Sequence, residues 1–180
     1  MEALSGVLKE RLEKIKQLRA KGVSLYCDSF RPTSSIQSLV SAFQEDRQVK
    51  VAGRMMTRRV HGKSAFVDLK DDTGKIQVYA QLDVLGSEEF ELFQLLDLGD
   101  VLGVEGALFT THTGEKTIRL GRFYLLSKIV QVLPEKWHGL RDIEARYRQR
   151  YLDLMMSDDA RDVFRKRAAI VQTIRSFLDQ

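Results

Sequence analysis

The sequence predicts a mainly β chain with helices. A five-stranded barrel carries helices at its N-terminal side and is followed by the first helices of a second, α+β domain. Two observations predict it. Apolar residues recur at helical spacing before residue 45 and after 143, and at a period of two between about 48 and 129. A run of turn residues, Asp71-Asp72-Thr73-Gly74, also splits the alternating region into a hairpin.

The elements follow in order. Leu4, Leu8, Leu12, Ile15 and Leu18 are spaced as a helix stripe, interleaved with basic residues, and Gly22 supplies the stop. A loop with Pro32 leads to a short helix from Ser35 to about Gln44, capped by Ser34 or Ser35, with Ile36, Leu39, Val40 and Phe43 on one side. The first strand starts near Gln48, with Val49, Val51 and Gly53 inward. Ser64–Lys70 and Lys75–Gln81 form the hairpin, with Gly74 at positive φ in its turn. A helix from Ser87 as N-cap to Leu96 sends Phe90, Phe93 and Leu96 inward. Strands Val101–Thr111 and Lys116–Ile129 flank a Thr113-Gly114 turn.

Three strands, a helix and two strands is the order of an OB-fold, a Greek-key barrel that binds oligonucleotides on one face. An unrelated five-stranded barrel shares most of the pattern, but the helix between strands three and four favours the OB-fold. This sets boundaries at 1–45 for the basic and connecting helices, 46–133 for the barrel, 134–146 for a linker and 147–180 for the second domain. There, Ile143–Met155 reads as one helix with Tyr147, Tyr151 and Leu154 on one side. A second helix begins at Ser157 and carries Val163, Phe164, Ile170, Val171, Ile174, Phe177 and Leu178 to the chain end, so the chain is expected to be cut inside that domain.

Composition narrows the function. The chain has 180 residues, 43% apolar and 30% charged, ordinary soluble values. No apolar run reaches membrane-span length, and residues 1–21 lack a signal peptide's apolar core. Cys27 stands alone, and His61, His112 and His138 have no ligand spacing, so a cytosolic module without a metal site is the simplest expectation. The net charge of +4 is unevenly laid out. Residues 1–22 hold six basic and three acidic side chains, Lys14 and Lys21 among the former. Lys50, Arg54, Arg58, Arg59 and Lys63 form a strip without acids, and from Asp83 to Glu115 there are eight acids and no base. A polyanion approached from one side suits this layout, as do two solvated faces.

Strand alternation places Ala65, Val67 and Leu69 in the core and turns Phe66 outward, with Gln77 and Tyr79 outward on the partner strand. A surface ring beside a long amide, near Arg58 and Arg59, is what single-stranded RNA recognition needs. The ring stacks on a base and the amide pairs with its edge. Packing of Phe66 against the N-terminal helices or the next domain is the alternative.

The runs Val51-Ala-Gly-Arg-Met-Met-Thr-Arg-Arg59, Phe66-Val-Asp-Leu69, Gly74-Lys-Ile-Gln-Val-Tyr79, Asp97-Leu-Gly-Asp100 and Thr113-Gly-Glu115 fit class II synthetases of the aspartyl, asparaginyl and lysyl types. Leu133-Pro-Glu-Lys-Trp-His-Gly-Leu140 and Arg146-Tyr-Arg-Gln-Arg-Tyr-Leu-Asp-Leu154 favour the lysyl branch. In order, the runs make the whole chain resemble the class II lysyl-tRNA synthetases of bacteria and eukaryotes.

The resemblance implies a barrel that binds the tRNA(Lys) anticodon stem-loop. It implies that Phe66 stacks on the central anticodon uridine, Gln77 and Arg59 read that base, Glu115 meets a neighbouring base, and Tyr79 supports the same face. Lys14, Lys21, Lys50, Arg54, Arg58 and Lys63 would contact the RNA backbone. For the intact enzyme it implies lysine, ATP and Mg²⁺, a lysyl-adenylate, a cytoplasmic location and a homodimer. The family's ATP-binding arginines and glycine-rich strand have no counterpart in this sequence, so no catalytic residue is assigned. A free-standing RNA-binding module is the rival.

Overall fold

The computed structural model describes residues 2–27, 29–133 and 142–179. Leu4's side chain, Pro134, His138 and the rest of the 134–140 run fall outside the described residues. The chain divides into two compact units, Met1–Val132 and Leu133–Gln180.

The first unit opens with α1 (Glu2–Ala20). Its end is held by Gly22 at φ 73°, with Val23 N–H donating to Leu18 O (2.9 Å) and Gly22 N–H to Arg19 O (3.0 Å). These are the two bonds of a glycine-terminated helix cap. Ile15 and Leu18 are buried, but Leu8 and Leu12 are exposed, so only the C-terminal half of the predicted stripe packs. Arg11 is buried instead, donating to the carbonyls of Gln131 (2.5 Å) and Leu98 (3.3 Å).

The helix α2 (Ile36–Ser41) is shorter than predicted, with Ser35 as its cap. Asp71 ties it to the hairpin: Ile36 N–H donates to Oδ2 (2.9 Å), while Thr73 and Gly74 N–H donate to Oδ1 (2.7 and 2.8 Å). Burial works against the charged form of Asp71, and these donors outweigh it, holding the carboxyl below its ordinary range. The expectation for Gly74 is corrected here, since it is not among the positive-φ glycines. Asp71 makes the turn. A Cβ at Gly74 would lie 3.2 Å from Gln37 Oε1, so the missing side chain lets α2 approach.

The strands are β1 (Gln48–His61), β2 (Ser64–Lys70), β3 (Lys75–Gln81), β4 (Val101–Thr110) and β5 (Lys116–Ser127). They close on themselves in the order β1-β2-β3-β5-β4, with β3 and β5 parallel and the other pairs antiparallel. Closure rests on β1, which pairs with β4 through Gln48–Arg54 and with β2 through Arg54–His61, irregular between Met55 and Thr57. A second irregularity falls at Glu105/Gly106. A Cβ at Gly106 would lie 2.0 Å from Arg119 O, so only glycine lets β4 and β5 approach this closely.

Between β3 and β4 come α3 (Leu82–Leu85) and α4 (Ser87–Gln94). Phe90, Phe93 and Leu96 are buried as expected. The expected cap is one residue off: Ser87 is already helical, and Gly86, at φ 81°, precedes the helix without a side-chain capping bond. Below this helix Lys128 is buried with its Nζ on Asp97 Oδ2 (2.6 Å) and Asp100 Oδ2 (2.7 Å). Lys14 of α1 reaches Asp97 Oδ1 (2.8 Å), so one charge cluster joins α1, β4 and the end of β5.

The second unit holds α5 (Ile143–Arg148), α6 (Arg150–Met156) and α7 (Asp158–Leu178). The single helix expected over Ile143–Met155 is broken at Gln149, whose ψ is 51°. The break brings Arg146 to buried Asp153 (Nε to Oδ1, 3.0 Å), which also pairs with Arg150. Ser157 caps α7 as predicted, accepting from Ala160 N–H (3.1 Å). No described helix is long and apolar enough to cross a membrane.

Candidate nucleic-acid interface

Register decides which side chains meet on the outer surface of the closed sheet. One row runs Arg59–Phe66–Tyr79–Arg119 across β1, β2, β3 and β5, and the next runs Thr57–Asp68–Gln77–Thr117. Their in-strand neighbours Ala65, Val67, Ile76, Val78 and Ile118 are buried, so a period of two leaves these rows outside.

Phe66 is half-buried. One face of its ring stacks on Tyr79, with centroids 4.5 Å apart and planes at 23°. Phe66 also lines an open pocket of about 380 Å³, together with Arg59, His61, Gln77, Glu115 and the loop Thr111–Thr113. Tyr79 does not line it and instead backs the ring, its far side reaching Phe109 at 6.0 Å.

The Thr111–Glu115 loop folds over Gln77. Thr111 N–H donates to Glu115 O (3.0 Å) and Gly114 N–H to Thr111 O (2.8 Å), a tight turn that needs Gly114 at φ 82°. The loop makes Gln77 far more enclosed than its outward register suggests: it is 5% exposed. Its Nε2 donates to Glu115 Oε2 (2.8 Å) and its Oε1 accepts from Thr117 Oγ1 (3.0 Å). A primary amide has a second N–H and a second lone pair. One donor and one acceptor therefore remain, the complement of the N3–H and O4 edge of a uracil.

The structure thus brings Arg59, Phe66, Gln77 and Glu115 around one pocket, with Tyr79 as its support. The six backbone candidates are dispersed. Arg54 donates to Gly99 O (2.6 Å) and Arg58 to Leu96 O (2.7 Å), and burial lowers the pKa of both guanidinium groups against the pull of nearby aspartates. Lys50 pairs with Glu105 (2.5 Å), Lys14 with Asp97 (2.8 Å) and Lys21 with Glu91 (3.0 Å). Of these six, Lys63 alone is exposed and makes no ion pair among the described residues. Sequence reasoning missed His61, Thr111, His112 and Thr113. Of these, His61 had a signal, lying two residues from Arg59 on one strand.

The closed five-stranded sheet is that of an OB-fold, and residues 49–126 match the family model described as an OB-fold nucleic acid binding domain of the tRNA anti-codon type. The chain is homologous to bacterial lysine–tRNA ligases over nearly all of its length. It is 45% identical to that of Carboxydothermus hydrogenoformans over 181 residues, which is 99% of this chain and 37% of the relative. It is 45% identical to that of Thermoanaerobacter sp. strain X514 over 181 residues, 99% and 36% of the two chains. It is 41% identical to that of Bacillus subtilis strain 168 over 187 residues, 99% and 38%. The chain therefore spans little more than a third of the length of these curated relatives.

Proposed function

We propose that this chain reads the anticodon of a lysine tRNA for a lysine–tRNA ligase. That enzyme joins lysine to its tRNA through a lysyl-adenylate, using ATP and Mg²⁺, as a cytoplasmic homodimer. One observation carries the reading: among the described residues, a ring with one open face, a buried amide with one donor and one acceptor left over, and an arginine without an ion pair share one pocket. The open ring face stacks on a base, Gln77 pairs with its edge, and Arg59 meets a phosphate or a base oxygen. Glu115 holds Gln77 in place and presents its second oxygen to an adjoining base. Similarity to the lysine–tRNA ligases supports taking the central anticodon uridine as the stacked base.

Among the described residues no cluster of His, Cys, Asp or Glu fits a metal ion.

The test is affinity for stem-loop RNAs that differ only in the central loop base. Replacing the uridine by cytidine, which offers N4–H₂ and N3 where uracil offers O4 and N3–H, leaves Gln77 mispaired and weakens binding roughly tenfold or more. Gln77→Ala narrows that gap. Equal affinity for both loops would refute the reading.

A further inference from the structure

Among the described residues four side chains of the first unit hold a cation over an aromatic ring, and two of them, Lys50 and Lys116, have their charge or donor engaged within the chain. Lys50, over Phe30 and Tyr124, pairs with Glu105; Arg122, over Tyr124, makes no ion pair among the described residues but has the acid Glu105 opposite it in register. Lys116, over Phe43, donates to Val40 O (2.7 Å). Arg119 differs. Its guanidinium lies 5.0 Å from the Phe109 centroid, it is exposed, and among the described residues it makes no ion pair.

Its position matters as much as its freedom. Arg119 is the next residue outward from Tyr79 in the Arg59–Phe66–Tyr79 row, and Phe109 touches Tyr79. The rings of Phe66, Tyr79 and Phe109 thus form one continuous column, open to the pocket at Phe66 and to the guanidinium at Phe109. A guanidinium laid on a ring keeps its face occupied and points its N–H edge outward, the geometry that bonds a phosphate through two donors. Arg119 lies two strands from Phe66, about 10 Å at the usual strand spacing, a reach the backbone on either side of a base stacked on Phe66 covers within one or two nucleotides.

We propose that Arg119, held by Phe109, binds a backbone phosphate of the RNA strand flanking the stacked base. The phosphate fixes the register in which the base enters the pocket and carries no sequence information itself. This rests on the anticodon-binding role proposed above. It adds β5 and β4 to an interface otherwise confined to β1, β2, β3 and the Thr111–Glu115 loop.

The experiment measures affinity of the whole chain for the uridine stem-loop as a function of salt, with Arg119→Gln, Arg119→Lys and Phe66→Ala. Loss of one phosphate contact lowers the slope of log affinity against log salt by about 0.7–0.9 and weakens binding roughly fivefold near 0.1 M salt. Arg119→Gln shows both changes, with discrimination between uridine and cytidine loops intact, while Arg119→Lys keeps the slope and recovers part of the affinity. Stem-loops carrying a neutral methylphosphonate at one loop position at a time locate the contact. At one of them Arg119→Gln costs nothing further. An unchanged slope, or an equal loss on every methylphosphonate loop, overturns the inference while binding remains sensitive to Phe66→Ala. If Phe66→Ala has no effect either, the anticodon-binding role falls and this inference falls with it.

Discussion

Phe66→Ala separates a reading surface from a packed core, because the structure puts different magnitudes on the two. A ring wholly inside a core costs roughly 3–5 kcal/mol when truncated to alanine. Phe66 is half-buried, its inner face on Tyr79 and its outer face on the open pocket. Stability should therefore fall by about half the core value, roughly 1.5–2.5 kcal/mol, of which the Tyr79 stack supplies about 0.5–1.5. Binding loses the base–ring stack, about 1–3 kcal/mol, or one to two decades in affinity. Phe66→Leu sharpens the comparison. It keeps most of the volume over Tyr79, so its stability cost stays below about 1.5 kcal/mol, yet it removes the stacking plane and should weaken RNA binding nearly as much. The assay pairs thermal melting with stem-loop affinity for both variants. Full RNA affinity in Phe66→Leu, or a core-sized loss of stability in Phe66→Ala with binding by the folded fraction unchanged, would refute the argument.

Two further expectations concern stability. Lys128→Met removes the only cation within hydrogen-bond distance of both Asp97 and Asp100 among the described residues. Leaving buried Asp100 without its cation, while Asp97 keeps only Lys14, costs roughly 3–5 kcal/mol, and a melting temperature within about a degree of the parent would contradict it. Asp71 is held below its ordinary range, so its contribution is complete above the unfolded value near 4 and disappears as pH falls through the lower folded value. The stability gap between the parent and Asp71→Asn should therefore shrink on acidification from pH 7 to 3. A gap independent of pH would show that the turn is held by something other than the charge.

Much of this architecture was legible because a period of two leaves little freedom. Once Val67, Leu69, Ile76 and Val78 are taken as core, Phe66, Gln77 and Tyr79 have to emerge on the other side, and they do. The hairpin boundaries Ser64–Lys70 and Lys75–Gln81 follow from the same constraint. Alternation reports a side of the sheet, however, and says nothing of what later covers that side. Gln77 has outward register and is nevertheless buried, because a loop thirty-odd residues downstream folds across it. The helix break at Gln149 was equally hidden, since the apolar spacing is continuous across it and the Arg146–Asp153 contact that accompanies it leaves no periodic signal.

Charge was the least legible property, for a physical reason that also bears on function. Lys50, Arg54, Arg58, Arg59 and Lys63 are close in sequence and share a sign, but their destinations depend on where carbonyls and acids lie in three dimensions. Arg54 and Arg58 are drawn to the carbonyls of Gly99 and Leu96 at the turn into β4, and Lys50 to Glu105 across the β1–β4 ladder. A cation so engaged has spent its field on the fold, and releasing it to meet a phosphate would break a part-buried hydrogen bond for Arg54 or Arg58 and a surface ion pair for Lys50. Among the described residues, Arg59 beside Phe66 and Arg119 beyond Tyr79 are cations that register leaves on the outer row with neither an acid opposite nor an ion pair. They are sixty residues apart in sequence and flank one group of rings, so the surface proposed to read RNA is created by closure of the sheet and is absent from any contiguous run of the chain.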